Sequence, residues 1–341
     1  MLVLVLPSSS NGLGPVDRRR ILTFVKSTSH YEYTFDIKAK FDLIYCAGSG
    51  DTGLALKLKE TGKPLIYDYA NHYLQENIPL KNVLRPAYFS FFKGHKYTFE
   101  TYSSTIQKII EVADVVVCSS EVQKTYLEQN TKVKNIHVLT DFFENDFPSL
   151  FNRKFKPPST RSQHLIWEGQ AENLKNFRSI TDREFFKLKI SLITDLKYRD
   201  GLFKRSSKNF CDRLFNDFVI YDWNVDALIS RAQHGDIGII PIEKDIPIYA
   251  AKPENKAVLM FLLGLPVLAT SILAYSQLFE RLQLDHLKVT DASQWVEKVQ
   301  QLRGLKNSDY QDLCMYLNNF ARKEYSTENL RLKWLNALES Y

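Results

Sequence analysis

Short apolar runs alternate with longer amphipathic stretches along nearly the whole chain. The runs predict buried strands at Met1–Leu6, Phe41–Cys46, Pro64–Tyr69, Asp114–Ser119 and Asn135–Leu139. Between them, stretches such as Gly53–Glu60 and Glu121–Asn130 read as helices. Strands separated by helices predict a parallel sheet with crossover helices, hence an α/β fold. The alternation stops after Asp141, where FFENDFPSLFNRKFKPPSTRSQ is rich in Pro, Ser and charge and predicts a linker. A second series then predicts strands at His164–Glu168, Lys189–Thr194, Asp217–Tyr221, Asp236–Pro241 and Pro266–Thr270. From about Asp291 the tail predicts helices only. The chain thus divides into a domain at 1–145, a linker at 146–163, and a domain at 164–341 that includes the C-terminal helices. Two doubly wound, Rossmann-like domains would face each other across a cleft at the carboxyl ends of their sheets, where such folds bind ligands.

Within the second domain, YAAKPENKAVLMFLLGLPVLATS has a clear local grammar. Pro253 suits a first helical position, because its missing N–H would have no partner there. Gly264 suits the position just past the helix end, and Pro266 prevents continuation. Ala257–Leu263 is apolar on every face, which predicts a buried helix. Lys252 and Lys256 then share one face of the first turn, with Asn255 beside them. Cations there oppose the helix macrodipole, whereas an anion docked on the free N–H groups would reverse the sign. Two readings stand: Glu254 offsets the field and the lysines point into water, or the lysines hold an anion.

Composition narrows the class. The chain has 341 residues, 44% of them hydrophobic, and carries a net charge of +6. That is the composition of a globular protein with affinity for anions, whether nucleotide diphosphates, a membrane surface or nucleic acid. No RNA-binding signature, zinc finger or dense basic run is present, which argues against nucleic acid. No apolar run approaches the roughly 18 residues of a membrane span. MLVLVLPSSSNG lacks the basic flank of a signal peptide and reads as a first core strand. Cys46, Cys118, Cys211 and Cys314 show no metal-ligand spacing, which predicts reduced core thiols and a cytoplasmic chain without structural zinc. One stretch departs from the alternation: RPAYFSFFKGHKYTFETY (Arg85–Tyr102) interleaves aromatics with Arg85, Lys93, His95 and Lys96. It reads either as an amphipathic helix packing its aromatics on the first domain, or as a surface that meets an anionic membrane and a lipid-linked acceptor.

Few catalytic motifs occur. There is no GxxxxGK[ST] loop, no GxSxG elbow and no HExxH. Gly12 and Gly14 after the first strand are a weak phosphate-loop signal. The remaining candidates stand at strand ends. Asp68 and His72, after PLIYD, could serve as a base toward an acceptor hydroxyl, or could cap a helix and decorate the surface. Gly169 stands just past a strand and Lys175 at the head of the next helix. Trp223 ends another strand, where its ring could lie beside a nucleobase or in the core.

These residues carry a resemblance. DIGIIPIEK, then KPENKAVLMFLLGLPVLAT, preceded by WEGQAENLKNF, resembles the donor half of nucleotide-sugar glycosyltransferases with the B-type fold. The likeness is to the broad family that includes retaining bacterial cell-surface sugar transferases. ADVVVCSSEVQKTYL and NIHVLTDFFEN resemble the last unit of that family's acceptor domain. The family's two glutamates, eight positions apart, correspond to Ala251 and Leu259, and its loop arginine to Gln170. The chain instead looks like the variant with a Lys-x-x-Asn-Lys signature, which implies that Lys252 and Lys256 meet the diphosphate, with Lys175 nearby. The resemblance implies sugar transfer to a glycan or lipid-linked acceptor without a metal and without a cofactor beyond the nucleotide-sugar substrate. A silent sugar-nucleotide-binding subunit and a B-fold epimerase are the alternatives.

Overall fold

Every apolar run expected as a strand is one, shifted by a residue or two at its ends. The computed structural model describes residues 1–9, 14–75, 79–96, 98–152, 154–157, 163–200 and 203–340. The chain divides into two units. Unit 1 comprises Met1–Asn145, Ala251–Pro253 and the segment from Thr327 onward; unit 2 comprises Asp146–Ala250 and Glu254–Ser326.

In unit 1 the strands are β1 (Leu2–Leu6), β2 (Glu32–Thr34), β3 (Leu43–Ala47), β4 (Leu65–Tyr69), β5 (Val115–Cys118) and β6 (Ile136–Val138). They form one six-stranded sheet in the order β2-β1-β3-β4-β5-β6, parallel throughout. β3, β4 and β5 are buried along their whole length, as parallel strands covered on both faces must be. That is why they stand out in the sequence as unbroken apolar runs. β2 does not stand out, because it is a short edge strand that begins with exposed Glu32. The chain direction across this sheet reverses between β1 and β3.

The end of the chain completes this core. Trp334, on the helix Thr327–Leu338, is wholly buried. Its ring stacks on Phe24 at 5.7 Å and meets Tyr45 and Phe142 at 6.2 and 6.0 Å.

Unit 2 has β7 (Leu165–Glu168), β8 (Ile190–Thr194), the hairpin β9 (Lys197–Asp200) and β10 (Phe203–Ser206), β11 (Phe218–Asp222), β12 (Ile237–Ile240), β13 (Val267–Thr270) and β14 (Lys288–Val289). Its six-stranded sheet runs β11-β8-β7-β12-β13-β14, again parallel. Counted within the sheet this is the order 3-2-1-4-5-6, and the reversal falls between β7 and β12. In open α/β sheets the crevice beyond the carboxyl ends of the strands at such a reversal is where ligands bind.

After β12 come a short helix, Pro247–Ala250, and then the helix Asn255–Leu262, with Glu254 at its N-cap. Pro253 therefore precedes the cap and does not occupy the first helical position. Lys252 lies outside the helix, in the segment that belongs with unit 1. The expected pairing of two lysines on one first turn is not formed; Lys256 alone stands there. The far end is as expected. Gly264 adopts φ +82°, and the N–H groups of Gly264 and Leu265 donate to the carbonyls of Phe261 and Met260 at 2.9 Å each. Those two bonds make a Schellman cap.

Candidate functional site

The carboxyl end of β7 gathers the sequence candidates of unit 2. Lys256 reaches across from the first turn of its helix, and its Nζ donates to the carbonyl oxygen of Glu168 at 2.8 Å. The same ammonium lies 5.1 Å from the centre of the Trp167 ring. Gly169 makes room for it: a Cβ there would lie 2.2 Å from Lys256 Nζ. Burial pushes the Lys256 ammonium below its ordinary pKa, and the Glu168 carboxylate acts against that shift.

Glu168 links a second candidate to this point. Its Oε1 accepts from the indole N–H of Trp223 at 2.8 Å. Trp223 follows β11, and β8 lies between β11 and β7 in the sheet, so this bond crosses the end of β8. Asn255 begins the helix beside Lys256, and its Oδ1 is buried with no hydrogen-bond partner. The first helical bond runs from Val258 N–H to Glu254 O at 3.1 Å, so the amides of Asn255, Lys256 and Ala257 precede the helical ladder. One edge thus holds a cation, the first amides of a helix, a buried amide oxygen, and an indole bonded to the Glu168 carboxylate. It is suited to an anionic ligand with a flat ring.

Lys175 is not at a helix head. It is exposed in the middle of a 3-10 helix, Ala171–Ser179, with its ammonium 5.2 Å from the Tyr249 ring centre. Leu259 and Ala251, at the positions of the two glutamates, are both buried. Glu254 is the nearby carboxylate on the helix, and it accepts from Tyr325 Oη at 3.0 Å. Glu168, Trp167 and Tyr249 did not emerge from sequence reasoning as site residues. The signal for Glu168 was its place as the last residue of a strand, directly before Gly169.

The unit 1 candidates behave differently. Asp68 is wholly buried and both its oxygens are occupied. Arg20 donates from Nε to Oδ2 at 2.6 Å and from Nη2 to Oδ1 at 3.0 Å, and the Tyr45 hydroxyl also donates to Oδ2. Arg20 donates further to the Leu139 carbonyl at 2.8 Å and lies 5.5 Å from the Trp334 ring centre. Burial works against the guanidinium charge, but Asp68, Tyr45 and Asp141 outweigh it and raise its pKa. Asp68 is the fixed partner of a buried cation, not a base open to an acceptor.

His72 is 1% exposed. Its Nε2 pairs with Gln75 Oε1 at 2.8 Å and its Nδ1 with Tyr69 Oη at 3.3 Å. Burial lowers its pKa, so the ring is neutral near pH 7, but both nitrogens are engaged.

Gly12 lies outside the described residues. Gly14 N–H donates to Ser9 Oγ at 2.8 Å. Just after β1, the buried Asp17 carboxylate accepts from the N–H groups of Ser8 and Ser9 at 2.7 and 3.1 Å and from both hydroxyls. Among the described residues no group of three or more His, Cys, Asp or Glu side chains could hold a metal ion.

The chain matches no protein-family model and no curated protein by sequence. Solved structures resemble it in fold. TarM, known from S. aureus, is 12% identical with a TM-score of 0.51 over 86% of this chain, which spans about half of that chain (54%). Sucrose-phosphate synthase from Thermosynechococcus elongatus is 12% identical with a TM-score of 0.59, covering 89% of this chain and 74% of the other. The DNA-modifying enzyme β-glucosyltransferase is 8% identical with a TM-score of 0.54, covering 99% of both chains. With two parallel six-stranded sheets and these neighbours, the chain has the two-domain B-type glycosyltransferase fold.

Proposed function

We propose that the protein is a glycosyltransferase that moves a sugar from a nucleotide-sugar donor to a glycan or lipid-linked acceptor in cell-surface polysaccharide synthesis. The observation that carries this reading is the carboxyl edge of β7, where Lys256, Gly169, Trp223 and Asn255 converge at the topological reversal of unit 2. Structures of similar fold contain UDP or UDP-glucose, in S. aureus TarM and T4 phage β-glucosyltransferase respectively, which supports a nucleotide-sugar ligand.

On this reading the nucleoside diphosphate is the leaving group. Its negative charge grows as the bond from the anomeric carbon to the phosphate oxygen breaks. Lys256 and the first-turn amides stabilise that charge, and being fixed before the reaction they need no reorganisation during it. No metal is required for the step, so a chelator leaves transfer unchanged. The Trp223 ring borders the base, and Lys175 supplies further positive charge. The acceptor is met on unit 1, at an anionic membrane surface near Arg85–Tyr102.

The alternative of a silent sugar-nucleotide-binding subunit is favoured by one observation, the buried apolar residues Ala251 and Leu259 where carboxylates are expected. Transfer or donor hydrolysis by the purified chain separates the two.

Thermal stabilisation by UDP-, GDP-, CDP- and ADP-sugars identifies the donor base. With that nucleotide, Lys256→Ala weakens diphosphate binding by roughly 10- to 150-fold, the worth of one charge-assisted hydrogen bond, and leaves the nucleoside nearly unaffected. Equal affinity of parent and variant for the diphosphate sinks the donor-site assignment.

A further inference from the structure

The helix Pro79–Lys93 in unit 1 is amphipathic the wrong way round. Its polar side faces the protein. Asn82 exchanges two hydrogen bonds with Ser103, each 2.7 Å. The Arg85 guanidinium lies 4.7 Å from the Tyr102 ring centre, and Lys93 Nζ turns back to the carbonyl of Ser8 at 3.0 Å. Of the aromatics, Phe89 packs inward, edge-on to Tyr102 at 5.6 Å. The opposite face carries Leu80, Val83, Leu84, Tyr88, Phe91 and Phe92, between 52 and 83% exposed. Their spacing repeats the helical period, so they form one continuous stripe. Phe99, just beyond, is 94% exposed.

We propose that this stripe lies in the interfacial layer of a lipid bilayer with anionic headgroups. An apolar stripe of this length open to water marks a surface meant to be covered. Charge selects the cover. From Pro79 to Phe99 the sequence contains Lys81, Arg85, Lys93 and Lys96 and no Asp or Glu, so the segment itself carries only positive charge and favours an anionic surface; the nearby Asp51 carboxylate is taken up by the Lys96 N–H at 2.8 Å. Size argues against a second copy of the chain. A helix of 15 residues is about 22 Å long and about 10 Å wide, a footprint on the order of a few hundred Å² against about 800 Å² per partner in a stable complex.

No described helix is long and apolar enough to cross a membrane, so the contact lies along the surface. Phe91, Phe92 and Phe99 enter the acyl boundary, and exposed Lys81 and Lys96 meet headgroups. Lys93 is less exposed, with its ammonium on the Ser8 carbonyl, and adds positive charge behind that surface. The lipid contact stands on this geometry alone. That it brings unit 1 to a lipid-linked acceptor rests on the proposed function.

The test is co-sedimentation of the purified full chain with vesicles of phosphatidylcholine and phosphatidylglycerol, compared with phosphatidylcholine alone. The parent binds the mixed vesicles more strongly. The double variant Phe91→Ser, Phe92→Ser weakens that binding by about tenfold or more. Its melting temperature stays that of the parent, since both rings are exposed. Lys96→Glu weakens binding to mixed vesicles and leaves binding to phosphatidylcholine alone nearly unchanged. Failure of sugar transfer with vesicle binding intact would overturn the proposed function and leave this contact standing. Absence of parent binding, or equal binding by the double variant, overturns the contact. So does a parent dimer in sedimentation that the double variant dissolves, which would make the stripe a chain–chain interface.

Discussion

Asp68 shows how burial decides a side chain's role. An accessible carboxylate at a strand end can take a proton from an acceptor; one enclosed with Arg20 and Tyr45 is held by them. Removing one partner of a buried ion pair leaves the other charge uncompensated, at a cost of about 3–5 kcal/mol. Asp68→Asn should therefore lower unfolding free energy by about that amount, read as a fall in the urea midpoint at unchanged m-value. A variant that unfolds like the parent yet loses turnover would restore Asp68 as a base. Lys256 differs in kind. It opposes its helix dipole, but it satisfies the Glu168 carbonyl and covers the Trp167 ring. Its loss therefore also removes a bond from the unliganded protein, worth on the order of 1 kcal/mol.

The helix Asn255–Leu262 positions Lys256, and its two ends are fixed by different means. At the start, the carbonyl of Ala251 accepts from Ser120 Oγ at 2.9 Å, which holds the preceding segment in unit 1 and delays the helix to Asn255. At the finish, buried Asn318 donates to the carbonyls of Phe261 and Leu262 at 3.1 and 2.8 Å, alongside the Schellman bonds. Gly264 serves twice. Its φ of +82° is left-handed, and a Cβ would meet the Phe155 ring at 2.1 Å. Gly264→Ala should cost about 2–4 kcal/mol from backbone strain and overpacking together. Circular dichroism melts measure it, and a neutral substitution would show that Phe155 moves aside freely.

At the scale of the whole molecule, histidines set the response to acid. His72, His95, His137, His164 and His286 all have pKa values lowered from the ordinary 6.5, with burial the leading cause. The fold thus binds fewer protons than the unfolded chain once pH falls to about 6.5. Their contribution to stability is fully present above that pH and is lost as pH falls through the folded values. Melting temperature should decline between about pH 7 and pH 5, beyond what carboxylates explain, and His72→Gln should flatten part of the decline. A flat profile over that window would mean that the imidazoles accept protons without leaving the fold.

The spacing of apolar residues along the chain, with its Gly and Pro, determined every described strand but β2, β9, β10 and β14, the buried helix before Gly264, the Schellman end and the doubly wound class. Burial on both faces of a parallel sheet writes itself into sequence as an unbroken run, and a helix end needs only its own neighbours. Contacts between distant segments were decided by the tertiary structure. Arg20 meets Asp68 across 48 positions, Trp223 meets Glu168 across 55 and Lys256 meets Glu168 across 88. Nothing periodic encodes those meetings, because they follow from which strands become neighbours and where the sheet order reverses. The same limit holds for Pro79–Lys93. Its spacing shows that the helix has two unlike faces, but only packing against Ser103, Tyr102 and Ser8 turned the polar one inward.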